Sequence, residues 1–130
     1  MYKDILEKQQ TTASKATNGL VEICHGLARE SGWWDNVDVN APFVVPAKLC
    51  LVHSEISEAM EGARKDLFDD HLPHRKMIEV ELADAMIRIM DLAGAMQLDL
   101  GGAMVEKLLY NTQRSDHKVD NRAKNNGKKF

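Results

Sequence analysis

The sequence predicts an all-α fold, a small antiparallel helical bundle of about four main helices completed by oligomerisation. Two observations predict it. Apolar residues recur at helical spacing along most of the chain. No segment alternates apolar and polar residues between hairpin turns, so nothing reads as strand. At 130 residues one domain is expected. Its core would be small, and a partner subunit would enlarge it.

Each element has its own justification. Residues 1–14 are polar, with Ile5 and Leu6 as apolar anchors. They read as a short or frayed helix, and residues 1–16 as an N-terminal extension. A first substantial helix is expected from about Lys15 to Glu30, with Leu20, Ile23 and Leu27 on one stripe and Gly32 as its stop. From Trp33 to Pro46, Asp35, Asn36, Asn40 and Pro42 argue for a loop. Pro46 suits the first turn of a second helix running to about Asp66, with Leu49, Val52, Ile56, Ala59 and Ala63 as its core face. Phe68 to Arg75, which contains Pro73, reads as a turn. A third helix is expected from about Lys76 to Met96, with Ile78, Leu82, Ala85, Ile89 and Leu92 inward. Asp99 is the expected N-cap of a fourth, carrying Met104, Val105 and Leu108 inward and ending near Arg114. The helical domain thus spans residues 17–114. Residues 115–130 form a basic tail, expected to be mobile without a ligand.

Composition excludes several classes. No apolar run approaches the roughly 18 residues of a membrane span, and the N-terminus lacks a signal-peptide apolar region, so a cytoplasmic protein without a membrane partner is expected. Cys24 and Cys50 have neither a disulfide framework nor a metal-ligand spacing, and read as two buried thiols in a reducing compartment. Net charge is only −3, but half of the 20 acids lie between Glu55 and Asp91. The tail instead carries Lys118, Arg122, Lys124, Lys128 and Lys129 against Asp116 and Asp120. A basic tail alone is most often a solvated end; beside an acidic centre it suits a metal–phosphate site.

The acidic centre contains two pairs, Glu55 with Glu58 and Glu81 with Asp84. Residues at i and i+3 share a side of a helix. A lone pair of this kind is ordinarily solvated surface. Here there are two, both set among apolar residues: Ile56 and Ala59 beside the first, Leu82, Ala83, Ala85 and Met86 around the second. Each pair flanks a core stripe. Antiparallel packing would bring four carboxylates to one volume, where only a cation could hold them. All-oxygen ligation suits Mg²⁺ or Mn²⁺, and hence phosphoryl chemistry. Of the adjacent Trp33 and Trp34, one is expected to be free to stack on a nucleobase, unless both plug the bundle end. Asp91 is expected to pair with Arg88, three residues earlier, with a metal or ribose role as the alternative. His53 is expected to hydrogen-bond on its helix face rather than ligate.

The order Glu55-x-x-Glu58, then Glu81-x-x-Asp84, resembles the signature of the MazG-like all-α nucleoside triphosphate pyrophosphohydrolases. The likeness extends to SGWWDN, SEISEAMEGAR, ELADAMIRIMDLAG, EKLLYN with its following Arg, and the closing GKKF, covering residues 18–130. The resemblance implies cleavage of a nucleoside triphosphate to the monophosphate and pyrophosphate. It implies that Glu55, Glu58, Glu81 and Asp84 bind Mg²⁺, with Mn²⁺ as a substitute, and that Glu55 or Glu58 takes the proton of the attacking water. Lys107 and Asn111, four apart on one helix face, resemble the family's phosphate-side pair. Arg114 continues that face and is expected to fork onto phosphate oxygens. The resemblance further implies a homodimer or homotetramer. The tail departs from the family pattern: His117 precedes a longer stretch before Gly127.

Rival readings are a di-iron or di-manganese oxidoreductase bundle and a non-enzymatic helical module that binds nucleic acid through its basic tail. The first needs two Glu-x-x-His motifs; only Glu22-x-x-His25 has that spacing on an expected helix. The second is poorly served by a negative net charge and 5% aromatic residues, so no stable nucleic-acid partner is expected.

Overall fold

The computed structural model describes residues 1–130. It is all-α, with four main helices: α1 (Tyr2–Glu30), α2 (Val44–Lys65), α3 (Met77–Ala95) and α4 (Leu100–Gln113). A 3₁₀ turn at Ser115–His117 and the single-turn α5 (Val119–Arg122) follow. There is no strand; one isolated bridge joins Phe68 to Lys76 in the α2–α3 connection. No helix is long and apolar enough to cross a membrane. The chain forms two compact units, one of Met1–Asn18 with Asp99–Phe130, the other of Gly19–Leu98.

The N-terminal segment is more helical than its composition suggests. α1 begins at Tyr2, with one non-helical residue at Gln9 (φ −114°, ψ 16°). Gly32 then adopts φ 81°, where an L side chain is disfavoured, and stops the helix as expected. α2 starts two residues before Pro46. The proline therefore sits in the first turn, where its missing N–H leaves no intrahelical acceptor unserved.

In the Gly19–Leu98 unit, α2 and α3 pack as an antiparallel hairpin. Small residues set the approach. Ala59 and Gly62 are buried on α2 and Ala85 on α3. A Cβ on Gly62 would lie 2.9 Å from Met77 Cβ and 3.2 Å from Ile78 N. In the connection, buried Asp69 accepts from His71 N at 2.9 Å and Leu72 N at 2.7 Å through Oδ2, which tightens the turn. α1 meets α3 where Gly94 faces His25. A Cβ on Gly94 would collide with His25 Cβ. Gly94→Ala is therefore expected to cost about 1–3 kcal/mol in urea-unfolding free energy, because both helix backbones would have to move apart.

The expected inward stripes are only partly buried. Ala59, Ala85, Leu92 and Val105 are inside, while Leu49, Ile56, Ile78, Leu82 and Ile89 stay 37–47% exposed. Leu20, Ile23, Leu27, Met104 and Leu108 are also open, and Ala63 is exposed. Periodicity locates an apolar face but not what covers it. Here the hairpin closes through its smallest residues, and the larger ones lie to the side. The thiols also differ from expectation: Cys24 is half-buried and Cys50 exposed.

In the other unit, Asp99 caps α4 as predicted. Its Oδ1 accepts from Gly102 N at 2.9 Å and from Asn18 Nδ2 at 2.7 Å. Asn18 Oδ1 in turn accepts from Gly101 N at 2.8 Å. Two of the four N–H groups left free at the start of a helix are thereby satisfied, one of them by α1. In the tail, Asp116 binds Arg114 at 2.9 Å and Lys128 at 3.0 Å.

Candidate metal centre

Glu55 is central to the site because it is buried where a carboxylate is costly. It shares the inward face of α2 with Ala59 and Gly62 and is 6% exposed. The expectation that it flanks the core stripe is thus corrected: it lies on the packed face itself. An isolated buried carboxylate would be strongly disfavoured. Arg88 on α3 supplies the partner, its Nε donating to Glu55 Oε1 at 2.6 Å.

Glu81 and Asp84 project from α3 towards the same point. One oxygen each of Glu55, Glu81 and Asp84 lies within 4.8 Å of the others. Burial pushes the Glu81 carboxyl up to about 7, helped by its hydrogen bond with Glu55 and by the charges of Glu58, Glu55 and Asp84. The Asp84 carboxyl is also raised, by burial and by Glu55, against the opposing pull of Arg88. The structure therefore brings three of the four predicted carboxylates together. Glu58 is exposed and outside that group, though close enough for its charge to act on Glu81. Residues three apart on a helix point about 60° apart, so they need not reach one centre.

A cavity of about 420 Å³ adjoins the cluster. Leu27, Leu51, Ile87 and Trp33 supply apolar wall, and Asp84, Arg88 and Asp91 line the α3 side. The two tryptophans divide their tasks. Trp34 Nε1 donates to Asp91 Oδ1 at 2.8 Å, its ring meets His25 edge-on at 5.6 Å, and Lys48 Nζ sits 4.3 Å from its centroid. Trp33 is 71% exposed on the cavity wall. Asp91 Oδ1 also pairs with His25 Nδ1 at 2.9 Å. The expected Asp91–Arg88 pair is thus replaced: Arg88 answers the buried Glu55, and Asp91 holds His25 and Trp34. His25, the histidine of the lone Glu-x-x-His spacing, is engaged there.

Lys107, Asn111 and Arg114 belong to the other unit. Lys107 Nζ lies 4.8 Å from the Tyr110 ring centroid. Asn111 Oδ1 is buried without a hydrogen-bond partner. Arg114 forks onto Asp116, which raises its already high pKa. That carboxylate occupies the bidentate contact that the sequence reading assigned to phosphate oxygens.

Sequence reasoning missed Arg88 as the partner of Glu55, and Lys48. The signal for Arg88 was legible. Glu81, Asp84, Arg88 and Asp91 recur at intervals of three and four, the period of one helix face. Lys48 carried no comparable signal.

Comparison with protein-family models, with curated proteins and with solved structures found no match to this chain.

The raised Glu81 carboxyl has a measurable consequence. Its folded-state pKa, about 7, exceeds the ordinary 4.5, so the native state holds a proton that the unfolded chain releases more readily. The associated stability is complete at low pH and is lost as pH rises through about 7. In chelator-containing buffer, thermal stability should therefore fall between pH 5 and pH 8 on this account. Saturating Mg²⁺ should flatten that fall, because a bound cation favours the ionised carboxylates. Calorimetric scans across the range, with and without Mg²⁺, measure it.

Proposed function

We propose that the chain is a Mg²⁺-dependent nucleotide pyrophosphohydrolase that cleaves nucleoside triphosphates to the monophosphate and pyrophosphate, in the manner of the MazG-like enzymes it resembles. The observation that carries the reading is the meeting of Glu55, Glu81 and Asp84, of which Asp84 also lines the adjoining cavity of about 420 Å³. The donors are all carboxylate oxygens, with no thiolate among them, and this set fits a hard divalent cation better than a soft one. Bound there, Mg²⁺ would neutralise phosphate charge and acidify a water.

The chain's own residues supply the rest. Glu55, Glu81 and Asp84 hold the cation. Glu58, exposed beside them, is free to accept a proton from water; Glu55 is already committed to Arg88. Trp33 and the apolar wall take the flat, weakly polar part of the substrate. The resemblance alone assigns Lys107 and Asn111 to the phosphate side, Lys107 as a point charge and Asn111 as an amide donor. Removal of surplus or damaged nucleotides is the corresponding biological role. The test is a panel of nucleoside triphosphates with Mg²⁺, assayed for pyrophosphate and monophosphate. Release of both from at least one of them, abolished by chelator, is expected. A panel with no turnover in either Mg²⁺ or Mn²⁺ rejects the reading.

The reading includes a second copy of the chain, in a homodimer or homotetramer. The accessible surface is 9867 Å². Two separate compact bodies with the lengths of the two units would together expose only about 8300 Å². The excess, about 1600 Å², is within the range that each partner buries in a stable obligate dimer. Leu49, Ile56 and Met60 on α2, with Leu82 and Met86 on α3, lie roughly 60–140° round their helices from the packed face, all in the same sense. In an antiparallel hairpin that offset places them on one side of the layer, away from the cavity. They are the surface a second hairpin would cover to make a four-helix bundle.

A further inference from the structure

The cluster already contains a cation, although an organic one. Arg88 Nε donates to Glu55 Oε1 at 2.6 Å, and the same side chain lines the cavity. Glu55 is almost fully buried, whereas Arg88 is 43% exposed. The guanidinium thus approaches from the solvent side and offsets the charge of a carboxylate that cannot reach water itself. Glu81 and Asp84 have no basic partner within ion-pair distance, and the other bases on α2 and its flank are engaged elsewhere: Arg64 and Lys65 with Glu61, Lys76 with Asp66, and Lys48, which lines the same cavity, over the Trp34 ring. Arg88 is the only base paired to the three converging acids.

We propose that Arg88 is the resident counter-ion of this site: it competes with a divalent cation for Glu55 and, once displaced, offers its guanidinium to a phosphate-bearing ligand in the adjoining cavity. This rests on the hydrolase reading for the identity of the ligand, but not for the competition itself. The physical argument is charge balance. A divalent cation and the guanidinium repel one another, and both draw on the Glu55 carboxylate. Binding of the first weakens the hold on the second, by an equal and reciprocal coupling. Arg88 has exposed surface into which to move, whereas Glu55 has none. A planar fork released at the cavity edge is suited to bidentate contact with phosphate oxygens. Arg88 is thus a positioning residue for the empty cluster and a binding residue for the loaded one.

Three measurements on the full-length chain test this. First, Mn²⁺ affinity is measured by titration in wild type and in Arg88→Gln. Removal of the competitor should tighten Mn²⁺ about fivefold or more. Second, binding of inorganic pyrophosphate to the Mg²⁺-loaded protein should weaken about tenfold in the same variant, and Arg88→Lys should recover part of it as a point charge without the fork. Third, and independent of whether any variant folds, the Arg88 Nε–H resonance of the wild type should shift when Mg²⁺ saturates the site. An unchanged or weakened Mn²⁺ affinity in folded Arg88→Gln, or an Nε–H signal unmoved by saturating Mg²⁺, overturns the inference. If that happens while triphosphates are still cleaved, the hydrolase reading survives alone. If the metal and resonance effects appear without turnover of any triphosphate, the competition survives and the hydrolase reading falls. A chain that binds neither Mn²⁺ nor Mg²⁺ overturns both.

Discussion

Asp84→Asn and Glu81→Gln should each lower triphosphate turnover at least about 100-fold while leaving far-UV circular dichroism unchanged. Each substitution keeps side-chain volume and removes one ionisable carboxyl from a three-carboxylate cluster. Both residues are on the half-buried face of α3, so neither change opens a cavity. The loss should appear in Mg²⁺ affinity as well as in turnover, and calorimetric titration with Mg²⁺ separates the two. Glu58→Gln is the informative comparison. The sequence pattern gives Glu58 the same weight as the other three acids, but its side chain lies outside the cluster. It should spare Mg²⁺ affinity more than Asp84→Asn does, while still lowering turnover if it accepts the proton of water. Full activity in Asp84→Asn would remove the basis for the metal centre.

Leu82→Glu should convert an oligomer into monomers at micromolar concentration. Leu82 is 45% exposed in the single chain, in the middle of an apolar face that also carries Met86, Ile56 and Met60. A charge placed in the core of such an interface is buried against its symmetry mate and pays for desolvation twice. Sedimentation equilibrium of wild type and variant reads the mass directly. The milder Met60→Gln and Met86→Gln should retain the fold and weaken association about tenfold each, consistent with a few central residues dominating such interfaces. Leu108→Glu, on α4, serves as the control and should leave the mass unchanged. A wild-type chain that sediments as a monomer would dispose of the second copy.

Much of this protein was legible before any coordinates. Helical spacing located four main helices, Gly32 and Asp99 marked a stop and a cap, and the acidic pairs marked the face where three carboxylates meet. Those signals are local: each depends on residues within a turn or two of one another, and a helix of 3.6 residues per turn translates spacing into direction without further information. The length of α1 was not legible, because the polar residues between Ile5 and Lys15 have no apolar stripe to announce a helix.

What the sequence by itself determined was the set of helices and the acids that a cation would need. The tertiary structure decided which faces close and which carboxylates meet. It buried Glu55 rather than Ile56, because α2 and α3 approach through Ala59, Gly62 and Ala85, and the closest approach of two helices goes to their smallest side chains. It gave Arg88 to Glu55 and Asp91 to His25 and Trp34, because a buried charge takes the partner within reach, however near another lies along the chain.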